Sequence, residues 1–280
     1  MTTLLVDGDL FAYRQAAASE TGLDFGGHFI LSADAELGAE NLSETIKSFQ
    51  ETLGADRVIV TISDVKNFRH DVLPSYKSNR DGVRRPMILS ELKRHLIENF
   101  ETFIRPGLEA DDVMGILATN PVLIKGEKII VTMDKDLRTV PGLHWNPTLE
   151  GETKHKKPTE VSVKDADRKF YTQVLSGDAV DGYSGCIGIG PKRAEQIVDA
   201  PFILREVGEE IKRGPNKGTM RYRWMSEPTT DIWASIVSHY EKSGQSEEVA
   251  LQMARVARIL RHEDYDYKRK EPILWQPNKC

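Results

Sequence analysis

Nine carboxylates fall in this sequence where apolar runs stop or helices begin: Asp7, Asp64, Glu109, Asp111, Asp112, Asp134, Asp136, Asp178 and Asp181. An oxygen-only cluster suits a hard divalent cation, Mg2+ or Mn2+, because like charges crowd together only where positive charge compensates them. Two such ions about 4 Å apart would clamp the attacking and leaving oxygens of a phosphodiester during hydrolysis. The pattern points to a two-metal phosphoryl-transfer site.

Two further stretches carry positive charge. In "GYSGCIGIGPKRAEQI", Gly185, Gly188 and Gly190 permit tight turns, and Pro191 sits where a helix would begin. Free N–H groups at that helix start, with Lys192 and Arg193 beside them, make an anion site. The spacing is neither a dinucleotide fingerprint nor a P-loop. A helix–hairpin–helix at about 183–197 that grips one backbone phosphate fits better, and such contacts position DNA without reading its sequence. The other stretch runs from Lys66 to Arg94, with eight Lys/Arg against three acids inside a chain of net charge −5. There Phe68 and Tyr76 are expected to stack on bases, and Lys77, Arg80, Arg84 and Arg85 to contact phosphates.

The elements that must position these residues are legible as well. "TLLVD", "DRVIVTISD" and "EKIIVTMD" are apolar, β-branched runs that read as strands buried on both faces of a parallel sheet. Helical segments are expected over roughly 40–53, 87–103 and 109–119, between or after them. The fold class is therefore α/β: a mostly parallel central sheet flanked by helices, followed by a helical C-terminal domain. Ligands bind beyond the carboxyl ends of strands in such sheets, which is where Asp7, Asp64 and Asp134 stand. The expected domains are 1–175, with a basic arch or clamp at about 66–100, and 176–280, which holds the helix–hairpin–helix. The helix near 246–261 reads as a packing helix, and residues 198–245 match no pattern.

Composition narrows the class. At 280 residues, 39% hydrophobic and 29% charged, the chain is ordinary for a folded protein with its own core. No apolar run approaches a membrane span, and no signal peptide is expected at the N-terminus. Cys186 and Cys280 alone are too few for a disulfide framework or a zinc knuckle, which fits a cytoplasmic setting.

Five motifs, in order, carry a family resemblance: "LLVDGDLFAYR", "SDVKNFRHDVLPSYKSNR", "GLEADDVMG", "VTMDKDL" and "SGDAVDGYSGCIGIGPKRA". Together they run from residue 4 to 194. The chain resembles the flap-endonuclease family of structure-specific 5′ nucleases, and its size resembles that of the stand-alone 5′-to-3′ exonucleases of tailed phages. The resemblance implies a PIN-like sheet domain and hydrolysis of duplex DNA at a 5′ end, nick or flap, with RNA–DNA hybrid as a further substrate. It implies a first metal group of Asp7, Asp64, Glu109, Asp111 and Asp112, with Asp134 shared or close, and a second of Asp136, Asp178 and Asp181. Lys77 and Arg80 match residues that steady the scissile phosphate, and Tyr76 an aromatic that stacks on a terminal base. Residues 185–193 match a helix–three-turn–helix that also holds K+ through carbonyl oxygens. Asp9 is not a usual ligand of the family, and the arch is short.

Other readings stay open at this level. A haloacid-dehalogenase-type phosphatase would use Asp7 as nucleophile and Asp9 as acid/base, with Asp178 and Asp181 closing the set. It leaves Glu109, Asp111, Asp112 and the glycine turns without a role. A PIN-type RNase shares the acidic sheet edge but lacks those turns. A DNA-binding protein without activity would be expected to have lost carboxylates.

Overall fold

In the computed structural model, which describes residues 1–149 and 157–277, the first strand β1 (Thr2–Asp7) runs directly into helix α1 (Gly8–Ala18). A hairpin of β2 (Thr21–Asp24) and β3 (Phe29–Ser32) follows, then α2 (Ala35–Leu53) and β4 (Arg57–Thr61). Next come the short α3 (Arg69–Val72), α4 (Leu89–Asn99), β5 (Thr102–Phe103) and α5 (Ala110–Thr119). Strands β6 (Glu127–Val131), β7 (Gly142–Trp145) and β8 (Thr159–Val161) complete the sheet, in the order β5-β4-β1-β6-β7-β8. Every neighbouring pair is parallel except the β7–β8 edge.

The sheet is buried on both faces, as its continuous Val/Ile runs require. Leu4, Val6 and Val60 point to one side, into a core with Phe11, Leu42, Ile46, Phe49, Leu92 and Leu96 of α1, α2 and α4. Leu5, Ile59 and Ile130 are equally buried on alternate positions, and α5 packs on β1, β4 and β6. Each such side chain contributes about 1.5–3 kcal/mol of burial. The start of α1 lies so close to β4 that a Cβ on Gly8 would stand 2.7 Å from the Thr61 carbonyl oxygen. Only glycine lets the helix leave the sheet edge immediately after Asp7.

Helix α2 begins earlier than expected, because Asp34 caps it by accepting from the N–H groups of Glu36 and Leu37 at 3.0 Å each. The helix expected over 87–103 is shorter: it stops at Asn99, Phe100 is extended, and Thr102–Phe103 pairs with β4 as an edge strand. β-branched and aromatic residues there favour the pleat over another helical turn.

The chain divides into two units by internal contact, and they interleave in sequence. One comprises Met1–Asp71, Arg80–Ala166 and Ile259–Leu274, the other Val72–Asn79, Asp167–Arg258 and Trp275 onward. In the second unit, α6 (Val163–Ser176) and α7 (Pro191–Asp199) flank the glycine turns. Helices α8 (Ile232–Lys242) and α9 (Glu247–Ala257) pack with them around Phe170, Val174, Ile197, Ile236, Tyr240 and Met253. This unit is not purely helical. A nine-residue strand β9 (Phe202–Glu210) pairs with β10 (Met220–Pro228) in a hairpin through the stretch that matched no pattern.

Candidate active site

Three adjacent parallel strands bring acid to one edge of the first unit. Asp7 ends β1, Asp64 lies just beyond β4, and Asp134 just beyond β6, while the register pairs Asp7 with Thr61 and Val6 with Val131. Asp7 is 4% exposed and caps α1 by accepting from the Leu10 N–H at 3.0 Å. Its other oxygen accepts from the Thr132 hydroxyl at 3.0 Å, and that hydroxyl in turn accepts from the Asp134 N–H. Thr132 thus ties two candidate ligands together, a link that no spacing in the sequence announced.

Burial pushes the Asp7 carboxyl up to about 7, and the charges of Asp9 and Asp134 push the same way, against the hydrogen bonds from Leu10 and Thr132. Asp64 differs. Backbone donors from Gly107, Val65 and Lys66 hold it below the usual carboxylate range, with Gly107 N–H at 2.8 Å. Asp136 donates its N–H to the Asp134 carboxylate at 2.7 Å. Glu109 and Asp111 are half-buried at the start of α5, whose Ala110 N–H is held by the Ser63 hydroxyl at 2.9 Å.

Asp112 is placed otherwise. It is fully buried, and Arg69, itself 2% exposed, donates to its two oxygens at 2.6 and 2.8 Å. The N–H groups of Glu109 and Leu260 add bonds at 3.2 and 3.1 Å. Four donors thus meet the two oxygens of this carboxylate within the fold. Arg69, counted in the basic stretch, serves this buried pair and also reaches Glu109 at 3.2 Å. Sequence gave no sign of that partnership, because residues 69 and 112 meet only through the fold. The same holds for Lys93, which projects from α4 to sit 2.8 Å from Asp9.

Both expected stacking aromatics are in cores. Phe68 is 8% exposed and Tyr76 3%. Tyr76 donates its hydroxyl to Asp181 at 3.0 Å. Lys77 adopts a left-handed backbone (φ 56), rare for a residue with a Cβ. Its N–H donates to the Asp181 carbonyl at 2.9 Å, and its ammonium lies 3.7 Å from the Asp181 carboxylate. Arg80 is exposed. Arg84 forks onto Glu20 at 2.6 and 2.7 Å, and this guanidinium holds the Glu20 carboxyl down to about 2.

In the second unit, Asp178 accepts from the Val180 N–H at 2.7 Å and exchanges backbone bonds with Tyr183. Gly185 has φ 63, and a Cβ there would stand 2.3 Å from the Gly177 nitrogen. Glycine is obligatory where these two passes of backbone touch. Gln245 pins the turn, accepting from Ile187 N–H at 2.8 Å and donating to the Gly185 carbonyl at 3.2 Å. Gly188 also has positive φ, Gly190 is the N-cap of α7, Pro191 stands at its first turn, and Lys192 and Arg193 are exposed there.

The edge fits a divalent cation by chemistry: its donors are all oxygen, and a buried carboxylate beside two others lacks the positive charge that would settle it. Among the described residues, no three acidic, His or Cys side chains already converge on one ligand position. No helix among them is long and apolar enough to cross a membrane.

A mostly parallel sheet with acid beyond three adjacent strand ends, and helices on both faces, defines a resolvase-like nuclease domain. More particularly, the chain belongs to the 5′-3′ exonuclease family, whose N-terminal resolvase-like domain matches residues 2–165. It is 32% identical to an exodeoxyribonuclease of Enterobacteria phage T3, over 98% of this chain and 92% of that protein. An exonuclease of Escherichia phage T7 is also 32% identical, over 98% and 93%. A phage T5 protein co-crystallised with metal ions shares the fold, with TM-score 0.58 and 18% identity over 92% of this chain and 90% of that one. Family membership removes the phosphatase reading of Asp7 and Asp9.

Proposed function

We propose that this chain hydrolyses duplex DNA from a 5′ end, nick or flap, with divalent ions held at the acidic sheet edge. The observation that carries the reading is the Asp7 carboxylate, buried beside Asp9 and Asp134 at the carboxyl ends of parallel strands. The phage T3 relative, an exodeoxyribonuclease matched over 92% of its length, supports DNA as the substrate. RNA–DNA hybrid, a role in phage replication and a cytoplasmic setting belong to the same proposal.

Asp7, Asp64, Glu109, Asp111, Asp134 and Asp136 are the ligands available in the first unit. Asp178 and Asp181 enter on the family resemblance alone. Two divalent ions, Mg2+ or Mn2+, would supply the charge that acidifies an attacking water and neutralises the phosphate. The protein's own part is positional. Thr132 fixes Asp7 relative to Asp134, and the Gly107 N–H keeps Asp64 ionised and aimed. Lys77 and Arg80 steady the scissile phosphate, and the strained backbone of Lys77 is consistent with a side chain held for a task. Lys192 and Arg193 at the α7 start grip a duplex phosphate, with K+ as a further occupant of the neighbouring carbonyls.

The test is a 5′-labelled nicked or flapped duplex incubated with Mg2+ and, separately, with EDTA. Short labelled products that need the metal are expected, and their lengths separate exonucleolytic from flap cutting. A strand that is bound but intact in Mg2+ would leave a binding protein only. Changing Lys192 and Arg193 to Ala should lower the slope of duplex affinity against salt by about one, for the one phosphate they grip.

A further inference from the structure

The β9–β10 hairpin is a long exposed element that the nuclease reading does not use. Its base is fastened to α8: Ser235 and Ser238 bond the backbone of Phe202 and Leu204, and the Phe202 ring lies 4.9 Å from His239. Beyond Leu204 every residue of both strands except Val207 is exposed. Nine paired residues extend for about 30 Å, so much of the hairpin stands clear of its own anchor.

The two faces of the ribbon differ. On one, Arg223 pairs with Glu209 at 2.6 Å and Arg205 with Glu227 at 3.5 Å, and Arg221 lies on the same side. The other carries Met220, Tyr222 and Trp224, which are 50%, 63% and 37% exposed. The register sets Gly208 directly across from Tyr222. A Cβ at Gly208 would stand 3.1 Å from the Tyr222 ring and 2.8 Å from Met220. The missing side chain leaves room for the ring against the neighbouring strand, where it stays 63% exposed. Trp224 is steadied at the base by Lys242, 5.9 Å from its ring. Lys212, Arg213 and Lys217 crowd the tip, where the turn is closed by paired bonds between Ile211 and Thr219 or Gly218.

We propose that this face binds single-stranded nucleic acid, with unpaired bases stacked on Tyr222 and Trp224 and phosphates held at the basic tip. Duplex bases are already stacked and offer no face to such a row, whereas every unpaired base does. Glu206 and Glu210 lie on the aromatic face, opposite Trp224 and Met220. They repel phosphate along the row, so a strand crossing it turns its bases inward and its backbone toward the tip. The hairpin also leaves α7 after only Ala200 and Pro201, which couples it in sequence to the proposed duplex grip. The inference rests on the nuclease reading only in giving the strand a purpose: an unpaired end or flap is what such an enzyme meets.

The experiment uses the full chain in EDTA, so that nothing is cut, with labelled oligothymidylate and a labelled blunt duplex. Tyr222→Ala with Trp224→Ala should lower oligothymidylate affinity about tenfold or more, given the strength of base stacking on aromatics. Lys212, Arg213 and Lys217 changed together to Ala should flatten its salt dependence, and Glu206→Gln with Glu210→Gln should tighten binding. In the aromatic variant the ratio of single-strand to duplex affinity should fall. An unaltered ratio, or a wild-type chain that fails to bind oligothymidylate, would overturn the proposal. So would a concentration-dependent dimer, seen by light scattering, that the aromatic variant abolishes, since the face would then cover a second copy. Circular dichroism checks that each variant is folded. Failure of the nuclease reading shows separately, as an uncut 5′-labelled duplex in Mg2+.

Discussion

The edge at the ends of β1, β4 and β6 and the start of α5 both bury an aspartate, yet the two carboxylates have opposite fates. Asp112 meets a buried guanidinium and two backbone N–H groups, and its charge is settled within the fold. Asp7 meets one N–H, one hydroxyl and two more carboxylates. A buried charge without a counter-charge is costly, so it persists where something outside the chain supplies the missing charge. The comparison distinguishes two environments for a buried aspartate within a single acidic set.

The largest effect should come from the uncompensated side. Asp7→Asn or Asp134→Asn is expected to abolish Mg2+-dependent cleavage of a 5′-labelled duplex while leaving duplex binding in EDTA largely intact. Retained metal-dependent cutting would erase the distinction. Next is Arg69→Ala, which leaves Asp112 buried and unpaired and should cost about 3–5 kcal/mol in denaturant unfolding. Replacing both Arg69 and Asp112 by apolar residues of similar volume should recover most of that loss, because the charge and its partner leave together.

A sharper contrast is Asp112→Asn. It should lower stability yet keep Mg2+-dependent cleavage in whatever fraction stays folded, whereas Asp111→Asn should lose cleavage with little loss of stability. An Asp112→Asn protein that is fully folded but inactive would place this residue among the metal ligands.

The smallest effect is a pH slope. The folded Asp7 carboxyl is raised from the ordinary 3.8 to about 7, so between those values the folded state binds more protons than the unfolded chain. Its contribution to stability is full below about pH 4 and is lost as pH rises through about 7. In metal-free buffer Asp7→Asn should remove that decline, as read by melting temperature against pH. Glu20 slopes the other way: Arg84 holds it near 2, so its contribution is present above 4.5 and lost as pH falls toward 2.

How far the sequence reached differs from residue to residue. Asp7, Asp64 and Asp134 were placed correctly on the sheet edge because strand runs and chain direction are local patterns, and the parallel order follows from alternating elements. The glycine turns before α7 were equally legible, since positive φ demands glycine wherever it occurs. Tyr76 and Phe68 were assigned to a base-stacking surface and lie in cores. An aromatic among cations reads as exposed until its three-dimensional neighbours are known, and Tyr76 meets Phe170, Val174 and Tyr183 from a distant part of the chain. Asp112 belongs with them: nothing within ten residues of it foretells Arg69.

The sequence by itself determined the strands, the edge at which acid gathers and the family to which the chain belongs, because hydrophobic period and motif order are written along one dimension. Only the tertiary structure decided which acids are compensated, which aromatics are covered, and that an exposed hairpin rises from the stretch between α7 and α8. Those outcomes depend on desolvation and on pairings between residues far apart in the chain, and such pairings exist only once the chain has folded.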